Sequence, residues 1–402
     1  MTTTPLFMRL ISAGILVLAC VTAAQAQDIL YEPDEKIAAE MPGGLMAQAI
    51  GTQSAYFDSN PLFLTAGAKS LWGSITSPEL IVNDTTPLAT IRSDTILTSN
   101  NFNQSAFDSN DIHSKLNLTD QIQRWGMGLQ GNVDYDTTRT SEMSNYGNLP
   151  LVPARHFGGT VAPQISYNFL PTDKLGLSGS YTSSHYDSAA FTDYEVFSAS
   201  PSYTHQFDPL NSGSFSVQAQ RFRATEGTLN VVDTIGPSIG WRTQLTPQMK
   251  ATASVGYDEA RQETAQNPNA SWTPQLNFAF GFNFKGIQDV IAADASRAEY
   301  PFGNGAEAFL TQVSLNDTRA ISPAFAIGVG GNYQSAEYQS NAFGNLQSLA
   351  GGHASLIWHA TNRLDVTTSY QYQHETLTDV SEGIQNHVGM MSVAYRPQAW
   401  GL

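Results

Sequence analysis

One cysteine, few charges and no long apolar run beyond the first two dozen residues are the main scarcities in this 402-residue chain. Cys20 stands alone, within the segment read below as a cleaved leader. On that reading the mature chain has no cysteine, and disulfide scaffolds, zinc–thiolate sites and cysteine nucleophiles are excluded together. Charged residues are 13% of the chain, about half the share in a soluble domain. Nineteen Lys and Arg stand against 35 Asp and Glu, a net charge of −16. No basic cluster appears, which leaves nucleic-acid binding without an electrostatic footing. No segment after the N-terminal one approaches the ~20 apolar residues of a transmembrane helix, so a bilayer can only be crossed by strands. Also missing are H-E-x-x-H, G-x-S-x-G and a Walker-type glycine loop,.

What is there begins with a leader. Arg9 is the only charged side chain before Asp28; the apolar run Leu10 to Ala23 and then Ala24-Gln25-Ala26 follow. That pattern is a secretory signal peptide over residues 1–26. Val17-Leu18-Ala19-Cys20 loosely matches a lipoprotein box with Cys20 as the lipidated residue. The bulky Leu18 and the good A-x-A site favour cleavage after Ala26. Losing Arg9 leaves the mature chain one charge more negative.

Aromatic residues are 10%, with 32 Gly and 16 Tyr, and mean hydropathy is −0.22. A chain neither apolar nor charged, rich in Tyr, Gly, Ser, Thr, Asn and Gln, suits strands with one face on lipid and one on water. The period-two pattern agrees. Trp125, Met127, Leu129, Gly131, Val133 and Tyr135 alternate with Gly126, Gly128, Gln130, Asn132, Asp134 and Asp136. Leu364, Val366, Thr368, Tyr370 and Tyr372 alternate with Asp365, Thr367, Ser369 and Gln371, and Arg363 is placed on the polar side. The same holds around Tyr181, Tyr257 and Tyr333. These runs reach ten residues or more, nearer the ~9–11 of a tilted membrane strand than the ~5–6 of a soluble one.

Turns divide the runs. Tight connections occur at Pro171-Thr172-Asp173, Asp208 to Asn211, Thr246-Pro247-Gln248, Ser322-Pro323 and Thr361-Asn362-Arg363. Longer polar links fall at Arg139 to Leu151, Ser184 to Asp193, Arg261 to Ser271, Tyr338 to Gln347 and Thr376 to Asn386. Short periplasmic turns alternating with long outer links are the outer-membrane pattern. The fold class expected is all-β, an antiparallel transmembrane β-barrel over residues 71–402. One strand per roughly 20 residues gives about 16 strands, in a range of about 14 to 18. Residues 27–70 are expected to form a periplasmic N-terminal segment or an insert into the barrel mouth. Pro42-Gly43-Gly44 would break any helical turn between Asp34 and Met46.

The site residues expected are those of a channel. Trp125, Tyr135, Tyr181, Tyr257, Tyr333, Tyr370 and Tyr372 are the aromatic-girdle candidates. By alternation Asp134, Asp136, Arg223, Asp258, Arg363 and Asp365 are the lumen-lining charges. Mixed signs in a lumen favour neutral or zwitterionic solutes such as sugars; wall-bracing ion pairs are the alternative use for the same residues. The eight histidines are scattered. His353, Ser355 and His359 would share one strand face, but such residues are more often wall residues than a hydrolase site. Glu32, Asp34 and Glu35 are better read as solvated than as a calcium site. No enzyme activity, cofactor or metal is expected; the expected partners are outer-membrane lipid, the barrel assembly machinery and a hydrophilic cargo.

Tyr56-x-Asp58-x-Asn60-Pro61, then Ser74-Ile75-x-Ser77-Pro78-Glu79-Leu80, the strand Ile91 to Leu97 and Phe107-Asp108-Ser109-x-Asp111 form a more specific sequence. This opening resembles the outer-membrane β-barrel porin family associated with exopolysaccharide and capsule export, over about the first 60 residues of the expected barrel. Two departures stand out: Ser59 separates Asp58 from Asn60, and the chain ends Ala399-Trp400-Gly401-Leu402 without a terminal aromatic. Assembly-factor recognition would then fall on the Tyr395 strand or Trp400. The resemblance implies assistance to polysaccharide passage; the alternative is a general diffusion porin, marked by a long loop folded inward. A membrane-embedded hydrolase and a structural or adhesive barrel with a plugged lumen complete the set.

Overall fold

The computed structural model describes residues 44–64, 66–139, 154–225, 230–265, 267–268, 270–303, 305, 307–338, 346–377 and 383–401. The leader with Cys20, and Glu32, Asp34 and Glu35, lie outside the described residues.

Long alternating runs with nothing to pair against within themselves must pair with one another, and they do so in chain order. The strands are β1 (Gly44–Asp58), β2 (Leu71–Thr85), β3 (Ala89–Phe102), β4 (Ser109–Ile122), β5 (Trp125–Thr137) and β6 (Arg155–Asn168). Next come β7 (Asp173–Tyr186), β8 (Tyr194–Asp208), β9 (Asn211–Ala224), β10 (Asn230–Thr246), β11 (Met249–Thr264) and β12 (Thr273–Lys285). The ring is completed by β13 (Asp289–Pro301), β14 (Glu307–Ser322), β15 (Phe325–Tyr338), β16 (Leu346–Thr361), β17 (Leu364–Leu377) and β18 (Ile384–Tyr395). Each is antiparallel to the next, and β1 pairs with both β2 and β18, closing an 18-stranded barrel.

Eighteen is two above the expected centre, and β1 accounts for one of the two. That strand lies inside the stretch assigned to the periplasmic segment, so the barrel begins at Gly44 rather than Leu71. Between the exposed Leu45 and Phe57, its outward positions Ala49, Gly51, Gln53 and Ala55 are small or polar, so no continuous lipid-facing stripe marks it in the sequence. At the seam Ser54 Oγ and Ser392 Oγ are 2.8 Å apart. Gln48 Nε2 donates to the carbonyl of Pro397 at 3.0 Å. Pro397 has no N–H for the ladder; pairing stops at Tyr395 and resumes one residue out of step in a short β19 (Trp400–Gly401) against Met46 and Ala47.

The connections 86–88, 123–124, 169–172, 209–210, 247–248, 286–288, 323–324 and 362–363 all lie at one end, with Gly44 and the C-terminus. Every longer link lies at the other. The short-turn end is periplasmic and the long-link end is outer.

The two faces separate as the alternation required. Trp125, Met127 and Tyr135 are exposed on the outside while Asp134 and Asp136 are buried on the inside. Tyr257, Tyr333 and Tyr370 are exposed, and Tyr181 and Tyr372 share their outward face. From Trp125 to Tyr135 ten residues span ~33 Å along the strand, or ~25 Å of height at the tilt of such barrels, the thickness of their apolar band. A closed ladder leaves no unpaired edge for lipid to meet. The protein is an outer-membrane β-barrel.

Candidate functional site

The lumen differs sharply along its axis. At the periplasmic end the inward side chains are small and wet. Lys174, Thr204, Ser212, Ser214, Arg242, Thr252 and Ser254 line a recess of about 310 Å³ on the inner wall of β7–β11. Lys250 is also inward by alternation with the outward Val255 and Tyr257.

At the outer end the interior is filled by two inward elements. The first is the link 59–70 between β1 and β2, and its anchor is built from a few polar residues. Tyr56 Oη donates to Asp58 Oδ2 at 2.9 Å, and the Asn60 N–H donates to both Asp58 Oδ1 and Asn386 Oδ1 at 3.0 Å. The Asn60 side chain donates to the Leu64 carbonyl and accepts from the Leu64 N–H, each at 2.9 Å, mimicking a backbone turn. Ser59 Oγ adds a bond to Asn386 Oδ1 at 3.1 Å. Thus held, Phe63 takes a left-handed φ of 48°, a conformation that costs a non-glycine residue ~1–3 kcal/mol unless its surroundings fix it.

The anchored link reaches across the mouth. Phe63 is buried against Leu349, Leu377 and Ile384 on β16–β18. Its neighbour Leu62 packs against a cluster on the β7–β10 side that includes Tyr186, Phe191, Tyr194, Phe222 and Val232. Two adjacent residues therefore touch walls many strands apart.

The second element is the outer end of the β13–β14 hairpin. β12 pairs with β13 only as far as Phe278 and Arg297, so residues 298–301 hold to β14 alone. Released from its neighbour, the hairpin leans inward. Gln220 Nε2 donates to Glu307 Oε1 at 2.7 Å, Thr234 bonds Glu299, and Asn230 Nδ2 donates to the Gly305 carbonyl at 2.6 Å. Gly305 has φ +78°, and a Cβ there would also press on Thr192. Phe302, Ala308 and Leu310 bury against Ala336, which also touches the Phe63 cluster. Link, hairpin and wall thus form one apolar septum, the neck.

The charges expected in the lumen divide. Asp134, Asp136, Asp258 and Asp365 are on the inner face. Asp134 lies 3.2 Å from His113 Nδ1 and Asp136 2.9 Å from His156 Nδ1. Asp365 holds His359 at 2.7 Å and Arg396 at 3.2 Å, and Asn277 donates to Asp258. For these four the bracing role describes the contacts. Arg223 is a correction: Phe222, fully buried, and Ala224 point inward, so Arg223 is outside with Arg221. Arg221, Asp233, Arg261 and Glu263 form an ion-pair ladder on that outer rim. Arg363 is also corrected, since it sits in the turn 362–363 rather than on β17. His353 and Ser355 face the lumen on β16, and no hydrogen bond joins them among the described residues.

Sequence reasoning missed Leu62, Phe63, Glu299 and Glu307, whose partners are distant in the chain. The one available signal was the Tyr56–Pro61 wording, which turns out to be the neck anchor.

No family model matches this sequence, and no curated protein matches it. Solved structures resemble the chain in barrel architecture. The outer-membrane channel DcaP of Acinetobacter baumannii is 12% identical with a TM-score of 0.45, covering 89% of this chain and 100% of its own. Pseudomonas aeruginosa OccK2 (OpdF), solved in complex with glucuronate, is 9% identical with a TM-score of 0.47, over 88% and 99%. A. baumannii OccAB3 is 8% identical with a TM-score of 0.46, over 89% and 99%.

Proposed function

We propose that this barrel is a diffusion channel for small hydrophilic solutes, with the neck setting the size limit. The observation that carries the reading is the link 59–70, tied into the lumen by Asn60 and reaching both walls through Leu62 and Phe63. An inward-folded link at the outer end distinguishes a diffusion porin from a wide conduit for polymer. Acidic groups at the outer end oppose Lys174, Arg242 and Lys250 at the periplasmic end, where the inward Asp365 is held by His359 and Arg396. Opposed signs give little net attraction to either ion and favour neutral or zwitterionic, sugar-sized solutes.

Assistance to polysaccharide export, implied by the family resemblance, is the competing reading. The residues behind the resemblance have structural work here. Tyr56, Asp58 and Asn60 hold the neck, Asp108 accepts the Phe102 N–H at 2.7 Å, and Asp111 accepts from Asn100 and Ser109.

The test is refolded full chain in planar bilayers and in proteoliposome swelling with sugars of rising size. Discrete conductance, with swelling by mono- and disaccharides that falls off for longer oligomers, is the expected result. Silent bilayers would sink every channel reading. Equal swelling by long oligosaccharides, with loss of secreted polysaccharide on gene deletion, would move the assignment to export.

A further inference from the structure

Three side chains on the inner wall of β4 and β5 meet in a way that the scattering of histidines along the sequence conceals. His113 faces Asp134 directly in the β4–β5 register, and Asp136 is two residues further along the same face. Each offers one ligand atom, a ring nitrogen or a carboxylate oxygen, and the three lie within 4.8 Å of one another. The group is built rather than incidental. His156 Nδ1 holds Asp136 Oδ1 at 2.9 Å while its Nε2 meets Ser184 Oγ at 2.6 Å. That relay fixes the carboxylate from behind. Asp136 is wholly buried, and its second oxygen, Oδ2, has no hydrogen-bond partner. An unpartnered carboxylate oxygen at zero exposure carries an uncompensated desolvation penalty, and a cation at the cluster removes it.

The geometry points to a divalent-metal site formed by His113, Asp134 and Asp136, of the class taken by Zn²⁺ and neighbouring first-row ions. One imidazole and two carboxylates are a mixed nitrogen–oxygen set. Ca²⁺ and Mg²⁺ prefer oxygen alone, whereas imidazole selects the transition-metal group. Three protein ligands leave a fourth position for water. His156 and Ser184 are the outer partners that such sites require. The His113 and Asp134 side chains keep 11% and 12% exposure, an entry path from the lumen. Zinc here would clamp β4 to β5 close to the outer end of the barrel. The site is independent of what passes through the channel.

The experiment uses untagged, EDTA-stripped full-length protein in detergent, titrated with Zn²⁺ and read by elemental analysis and calorimetry. One equivalent is expected to bind with a dissociation constant on the order of micromolar or tighter. His113→Gln and Asp136→Asn should each weaken it by about 100-fold, while Asp258→Asn, on the inner wall of β11, leaves it unchanged. Failure of the wild-type protein to take up zinc, or equal binding by all four proteins, overturns the site. If the two ligand variants fail to fold, X-ray absorption of zinc-loaded wild type decides. A shell of one imidazole with carboxylate oxygens supports the assignment, and an all-oxygen or several-imidazole shell refutes it.

Discussion

The outer and periplasmic halves of this lumen are made by the same strands, yet they obey opposite rules. In the periplasmic half, inward residues are Ser, Thr, Lys and Arg open to water. In the outer half, inward residues such as Phe222, Val232, Leu349 and Leu377 are nearly inaccessible and pack as a protein core does. A transmembrane barrel has no need of a core, because its exterior is already solvated by lipid. Inside this lumen one is present, built from the link 59–70, the β13–β14 hairpin and the wall.

Four experiments sharpen or break that contrast. The largest effect is expected from replacing residues 61–68 with two glycines: single-channel conductance should rise about fivefold, because the narrowest section of a pore dominates its resistance. Unchanged conductance would mean that the neck is not the narrow point. Next is Asn60→Ala, which removes both bonds to Leu64 and costs about 1–3 kcal/mol of anchoring. It should convert a steady conductance into flickering between levels while leaving the barrel as resistant to heat in detergent gels as wild type. Smaller still are the charge variants. Asp258→Asn in the outer half should shift the reversal potential toward anions and Arg242→Gln in the periplasmic half toward cations. Both shifts should shrink as salt rises toward ~1 M, where screening acts over ~3 Å. Least of all, Ser214→Trp in the wide recess should alter conductance by no more than about a quarter, given that this section contributes little resistance. A large drop there would erase the distinction between the halves.

The same contrast explains what was legible in the sequence. Alternation placed Asp134 and Asp136 inward because Trp125, Met127 and Tyr135 alternate against them across the lipid-facing band. It placed Arg223 wrongly because it equates apolar with outward. At the neck that rule inverts: Phe222 and Ala224 turn in toward the septum, and the arginine between them turns out. β1 escaped notice for a related reason, since the middle of its outward face is Ala, Gly and Gln and gives no apolar stripe between Leu45 and Phe57. Arg363 failed on a boundary of a single residue, the two-residue turn into β17. The neck itself was out of reach. Asn60 and Asn386 meet across 326 positions, and no local pattern encodes such a pair. Only the identity of the anchoring residues showed, as unexplained wording around Tyr56.

The seam between β1 and β18 links barrel closure to the seating of the neck. Its partners are the first and last strands of the ring, so the ring cannot close until β18 is present, and the ordering entropy of that longest loop is settled last,. The residues that continue the seam at its outer end, Ser59 and Asn60 against Asn386 and His387, are the ones that seat the link 59–70. Closing the ring and seating the link are therefore a single event. The contact that seals the wall is also the one that sets the link across the mouth.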